Sequence, residues 1–244
     1  MNQPEFVSRT IYMAVTEKLP QITAPKANKS SLSRTLLQVA GMAILLGLIV
    51  ETVILIVAAS FGKVLAAKPF LADLTQKVSW SVIVCLGLAL ARGATRLFAA
   101  TVQAALVGLA GLLMAPPAFA VARSLYEGVQ EALFIKVFQG GGGSPVLLAL
   151  IKGIEYGCLG ALLVWVSKQC WGNALTHAGA GLLIGIVFGA VFIGAMSWGA
   201  TASMTLGTMI SRALNEILNP VGCALTLYSA EILRRTQTAR TDEN

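Results

Sequence analysis

The sequence predicts an all-α, polytopic integral membrane protein: a bundle of about six transmembrane helices with one interfacial amphipathic helix. Three observations carry that reading. Hydrophobic residues make up 56% of the 244 and charged residues only 12%, about half the share with which a soluble domain clothes its surface. Apolar runs recur that are long enough to cross about 30 Å of hydrocarbon at about 1.5 Å per residue. The period-two alternation of a membrane barrel is missing.

The chain divides into a polar tail (1–33), one membrane domain (34–233) and a second polar tail (234–244). The first tail lacks the short apolar core and small-residue cleavage site of a removable signal, so the first span is expected to act as its own insertion signal. "FVSRTIYMAV" within that tail fits a short helix on the membrane surface and a disordered segment about equally.

The first span, 35–60, contains a single charge, Glu51. "FGKVLAAKPFLADLTQKV" then carries three lysines and an aspartate around Pro69 and reads as a loop. Spans two and three, 79–91 and 97–121, form a hairpin about "RGATR", because Arg92 and Arg96 resist lipid and Gly93 permits a tight turn. One long tilted helix over 79–115 is the alternative. Pro116 and Pro117 end or kink span three. The mixed-polarity stretch 123–139 reads as the interfacial helix, with Leu125, Val129 and Leu133 on one face and Glu127 and Glu131 on another. "GGGG" at 140–143 supplies a joint; with Ser144 it also has the form of a synthetic linker. Spans four to six follow at 145–167, 175–198 and 201–233, the last long enough to require tilt, a kink or a protruding end.

Six spans put both ends of the chain on one side. The tails, Arg34, Arg92, Arg96, Lys168, Arg234 and Arg235 outweigh Lys63, Lys68, Lys77, Arg123 and Lys136 on the other. The excess of basic residues marks the cytoplasmic face of a bacterial-type inner membrane. It also accounts for the net charge of +7 without nucleic acid, and no basic–aromatic interleaving suggests a nucleic-acid groove. Cys85, Cys158, Cys170 and Cys223 lack C-x-x-C spacing, and a lone His177 completes no metal set. No cofactor is evident. The partners expected are the lipid bilayer and other membrane subunits or further copies of the chain.

Charges inside apolar runs are the functional candidates, since each costs about 2.5–3.5 kcal/mol at the bilayer centre unless paired or hydrated. Lys152 and Glu155 stand three apart and share a helix face. Glu51 has no cation one turn away, so its partner must come from another span. Arg212 and Glu216 form an i,i+4 pair, and Asn215, Asn219 and Pro220 add polar groups and a helix break of the kind that coordinates solutes in transporters. His177, beside Thr176, is an interfacial hydrogen-bonding residue or a proton shuttle. Gly181, Gly185 and Gly189 make a period-four stripe for close helix packing, within the bundle or between subunits.

These residues support a channel or carrier component for an ion or small solute, lined by the buried carboxylates. The alternative is a non-catalytic subunit or scaffold of a larger membrane complex. The order "EGVQEALFIK", "GIEYG", "LTHAGAG" is distantly similar to glutamate-type intramembrane proteases, and a hydrolase using Glu127, Glu131 and His177 is the remote third reading. Those proteins carry adjacent glutamates where Glu127 and Glu131 stand four apart, so membership does not follow. No P-loop, G-x-S-x-G or H-E-x-x-H motif is present.

Overall fold

Regular structure among the described residues of the computed structural model is entirely α-helical. The structure describes residues 29–62, 67–135, 144–198 and 205–242. The six helices among these described residues are α1 (Lys29–Ser60), α2 (Ala67–Ala94), α3 (Ala100–Ala132), α4 (Pro145–Ser167), α5 (Ala174–Trp198) and α6 (Leu206–Asp242). The first five are long and apolar enough to cross a membrane. The surface-helix reading of 6–15 and the glycine joint at 140–143 fall outside the described residues. The described residues from Ser33 onward form one compact unit.

Large side chains such as Leu45, Ile49, Leu113, Leu183 and Ile186 face outward, while Glu51, Lys152, Glu155 and Glu216 are buried. That inversion suits a hydrocarbon solvent, which favours apolar exteriors and forces polar groups to find partners inside. Some hydroxyls in the apolar helices bond back to their own backbone: Thr52 donates to the Leu48 carbonyl and Thr75 to that of Leu71, both at 2.8 Å. A core of Val84, Leu88, Val107, Leu159, Leu163 and Leu227 joins α2, α3, α4 and α6. Of the five candidate spans the most enclosed is α4: half of its apolar window is buried, against 22–33% in the other four.

Several boundaries differ from the expected ones for identifiable reasons. The helix of the second span starts at Ala67 instead of 79, absorbing most of the expected loop. Pro69 falls in its first turn, where a missing N–H would have had no partner in any case. The hairpin is present and the single-helix alternative is not. Its turn, however, lies at 95–99, after Gly93, with the Thr95 hydroxyl bonding the Ala91 carbonyl at 2.7 Å.

Pro116 and Pro117 neither end α3 nor separate it from 123–132, which continue the same helix to Ala132. The carbonyl that Pro116 cannot bond, that of Leu112, abuts Gly153 of α4, where a Cβ would lie 3.0 Å away. A neighbouring helix thus covers the freed group. At the other end of the chain, Arg234 and Arg235 do not stop α6, which runs on to Asp242; Glu231 supports it through i+3 and i+4 pairs.

Pro145 opens α4 at its first turn. A reciprocal cap opens α5: the Thr176 N–H donates to Asn173 Oδ1 at 3.0 Å, and the Asn173 N–H to Thr176 Oγ1 at 2.9 Å.

Candidate functional site

The polar interior is built from a few charged side chains on otherwise apolar helices, paired within one helix or with a neighbouring one. Lys152 and Glu155 occupy one face of α4 and meet at 2.7 Å. Lys152 also pairs with Glu216 of α6. All three are nearly sealed, at 5%, 0% and 4% exposed, so little solvent weakens their interaction. Phe192 of α5 closes over the ammonium, its ring centre 4.9 Å from Nζ. One cation here serves two carboxylates, and Glu155 Oε1 has no hydrogen-bond partner.

Glu216 therefore engages Lys152 and not Arg212. The expected i,i+4 pair does not form, because a buried ammonium on α4 competes for the carboxylate; Arg212 reaches Met196 Sδ of α5 at 2.7 Å. The expected break at Asn215–Pro220 is also absent, since α6 is continuous through Pro220. Asn219 helps to hold it, donating its amide to the Asn215 carbonyl at 2.9 Å. The side-chain oxygens of Asn215 and Asn219 remain buried without partners. Asn215 donates to Glu216 Oε1 at 3.3 Å, which places it beside the triad.

Glu51 is buried and pairs with Lys77 of α2, so its counter-charge comes from another helix. Lys77 keeps 14% of its side chain exposed. Further along the same face of α2, Trp80 donates to the Tyr156 hydroxyl at 3.3 Å. With Ser81, Asn219 and Cys223, these two aromatics line a narrow crevice. The Ser81 hydroxyl is buried there without a partner. Sequence reasoning missed Lys77, Trp80, Ser81 and Tyr156. The signal was available: positions 77, 80, 81 and 84 recur at helical spacing, obscured by reading Pro69 as a breaker.

The remaining candidates lie apart from the triad. Glu127 pairs with Arg123 at 2.8 Å on an exposed surface, and Glu131 is exposed. His177 is buried, with Nδ1 2.8 Å from the Asn173 carbonyl and its ring against Tyr228. Of the three residues of the hydrolase reading, the two glutamates thus face outward and the histidine is enclosed. Among the described residues no group of His, Cys, Asp or Glu is arranged to hold a metal ion.

Gly181, Gly185 and Gly189 let α5 lie against α6. A Cβ on them would come within 2.6 Å of Val221 Cα, 2.8 Å of Ile217 Cα and 2.9 Å of Glu216 Cβ respectively. A second set, unrecognised in the sequence, does the same for α3 and α4: Gly108 and Gly111 face Gly157 and Tyr156, and Gly160 faces the Val107 carbonyl. The Glu216 backbone carbonyl, freed by Pro220, meets Gly185, where a Cβ would lie 3.0 Å away.

Comparison of the chain with protein families, curated proteins and solved structures found no match among any of the three.

Proposed function

We propose that the chain is a membrane transport component, a carrier or channel subunit that handles a proton or small cation at Lys152, Glu155 and Glu216. The observation that supports this reading is the charge count: a single buried ammonium faces two buried carboxyl groups. An unmatched charge in a dry interior is costly, so one more positive charge, a proton or a cation, completes the cluster. Releasing and regaining that charge from opposite sides of a membrane is transport. Asn215, which donates to Glu216, offers a neutral oxygen beside the same place, and Glu51 with Lys77 is a second station whose lysine reaches the exterior. On this reading the protein sits in a bacterial-type inner membrane with both ends in the cytoplasm, alone, self-associated or beside other subunits.

Reconstitution into liposomes tests it. Flux of protons or a monovalent cation is expected above that of empty vesicles, and Glu155→Gln or Glu216→Gln should abolish it in protein that stays folded. Full flux in both variants would remove the assignment.

A scaffold or non-catalytic subunit is the second reading, favoured by the ion pairing of every carboxylate in the buried set. It predicts background flux and a stable partner after gentle detergent extraction.

A further inference from the structure

One end of the bundle collects the last turn of α2, the first turns of α3 and α5, and the C-terminal part of α6. Four arginines gather there around one carboxylate. Glu231 accepts from Arg96 at 3.3 Å, Arg234 at 2.7 Å and Arg235 at 3.0 Å, and Arg92 lies within electrostatic reach of the same group. Among the described residues Glu231 is the acidic side chain that Arg96 and Arg235 contact, one carboxylate for these two guanidinium groups and the neighbouring Arg92. Arg92 Nη1 is buried with no hydrogen-bond partner. Gln103, whose amide reaches the Arg92 carbonyl at 3.4 Å, and His177, within electrostatic reach of Arg92, are 3% and 1% exposed. Each also carries a side-chain atom without a partner.

This end carries the marks of a membrane–water boundary. Trp165, near the end of α4, and Trp171, in the connection to α5, stack edge to face at 5.6 Å with both rings half-exposed. Exposed Lys168 lies between them. Tryptophan favours the headgroup level, where its ring meets apolar and polar surroundings at once.

We propose that this arginine cluster binds the phosphate-bearing headgroup of an anionic phospholipid. Guanidinium groups hold phosphate oxygens through paired hydrogen bonds. The cluster lies at the depth where the bilayer presents such groups, and the fixed charge is of the complementary sign. Arg96 and Arg235 are the accessible contacts, and Arg92 is the inner donor whose unused N–H a phosphate oxygen would satisfy. This site is independent of the transport reading and stands or falls apart from it.

The test uses the full chain in phosphatidylcholine vesicles with and without phosphatidylglycerol, following thermal unfolding. Phosphatidylglycerol is expected to raise the unfolding midpoint by about 2–4 °C, an effect that shrinks as salt is added. Arg96→Gln combined with Arg235→Gln should remove the shift. Arg235→Gln alone, at a side chain 65% exposed and safe for folding, should reduce it. An equal midpoint in both vesicle types, an undiminished shift in the variants, or the same shift from inorganic phosphate in phosphatidylcholine would each overturn the lipid site.

Discussion

The Glu51–Lys77 pair and the Lys152–Glu155–Glu216 triad solve the same problem with different arithmetic. The first joins α1 to α2 with one ammonium for one carboxylate, and its lysine extends toward the exterior. The second joins α4 to α6 with one ammonium for two carboxylates, with all three side chains sealed. A matched pair is complete and can act as a staple. An unmatched cluster demands a further charge, and that demand separates a structural ion pair from a site that can load and unload. Their stabilities should therefore respond differently to neutralisation, and thermal unfolding in detergent can read the difference.

The largest effect is expected from Lys152→Met. It strands two carboxyls on facing helices and should cost about 3–5 kcal/mol. Adding Glu155→Gln and Glu216→Gln should recover most of that loss; no recovery would mean that the lysine matters for packing alone. Glu51→Gln comes next, at about 1–3 kcal/mol, because Lys77 loses its partner but can turn toward a polar exterior. A double-mutant cycle with Lys77→Met should show strong coupling. The smallest effect is expected from Glu155→Gln or Glu216→Gln singly, within about 1 kcal/mol, since Lys152 keeps one carboxylate and glutamine still accepts a hydrogen bond. A loss as large as that of Glu51→Gln would dissolve the contrast between the two clusters.

The parts of the fold that read cleanly from the sequence were those decided within one helix. Uninterrupted apolar runs placed α1, α4 and α5, and Arg92 with Arg96 placed the α2–α3 hairpin. What misled were residues whose meaning depends on another helix. Pro116 and Pro220 look like breakers until a neighbouring helix covers the carbonyls they release. Lys77 looks like a loop residue until Glu51 stands opposite it. Arg212 and Glu216 satisfy the local pairing rule, yet Lys152 outcompetes Arg212 from 64 positions away in sequence. Lys152 and Glu155 were legible as a pair because they share a helix; the third member was legible only as a candidate. The glycines of α5 were visible as a strict repeat, whereas those of α3 and α4 are spaced too irregularly to announce the same contact.

The proline-released carbonyls have a mechanical consequence. Leu112 of α3 rests on Gly153 of α4, and Glu216 of α6 on Gly185 of α5. Prising either couple apart would bare a backbone oxygen to oil, so each couple is constrained to travel as a welded block. Relative sliding is then cheapest along the seam between the blocks, and the Lys152–Glu216 bridge straddles that seam like a latch whose grip depends on how much positive charge it holds.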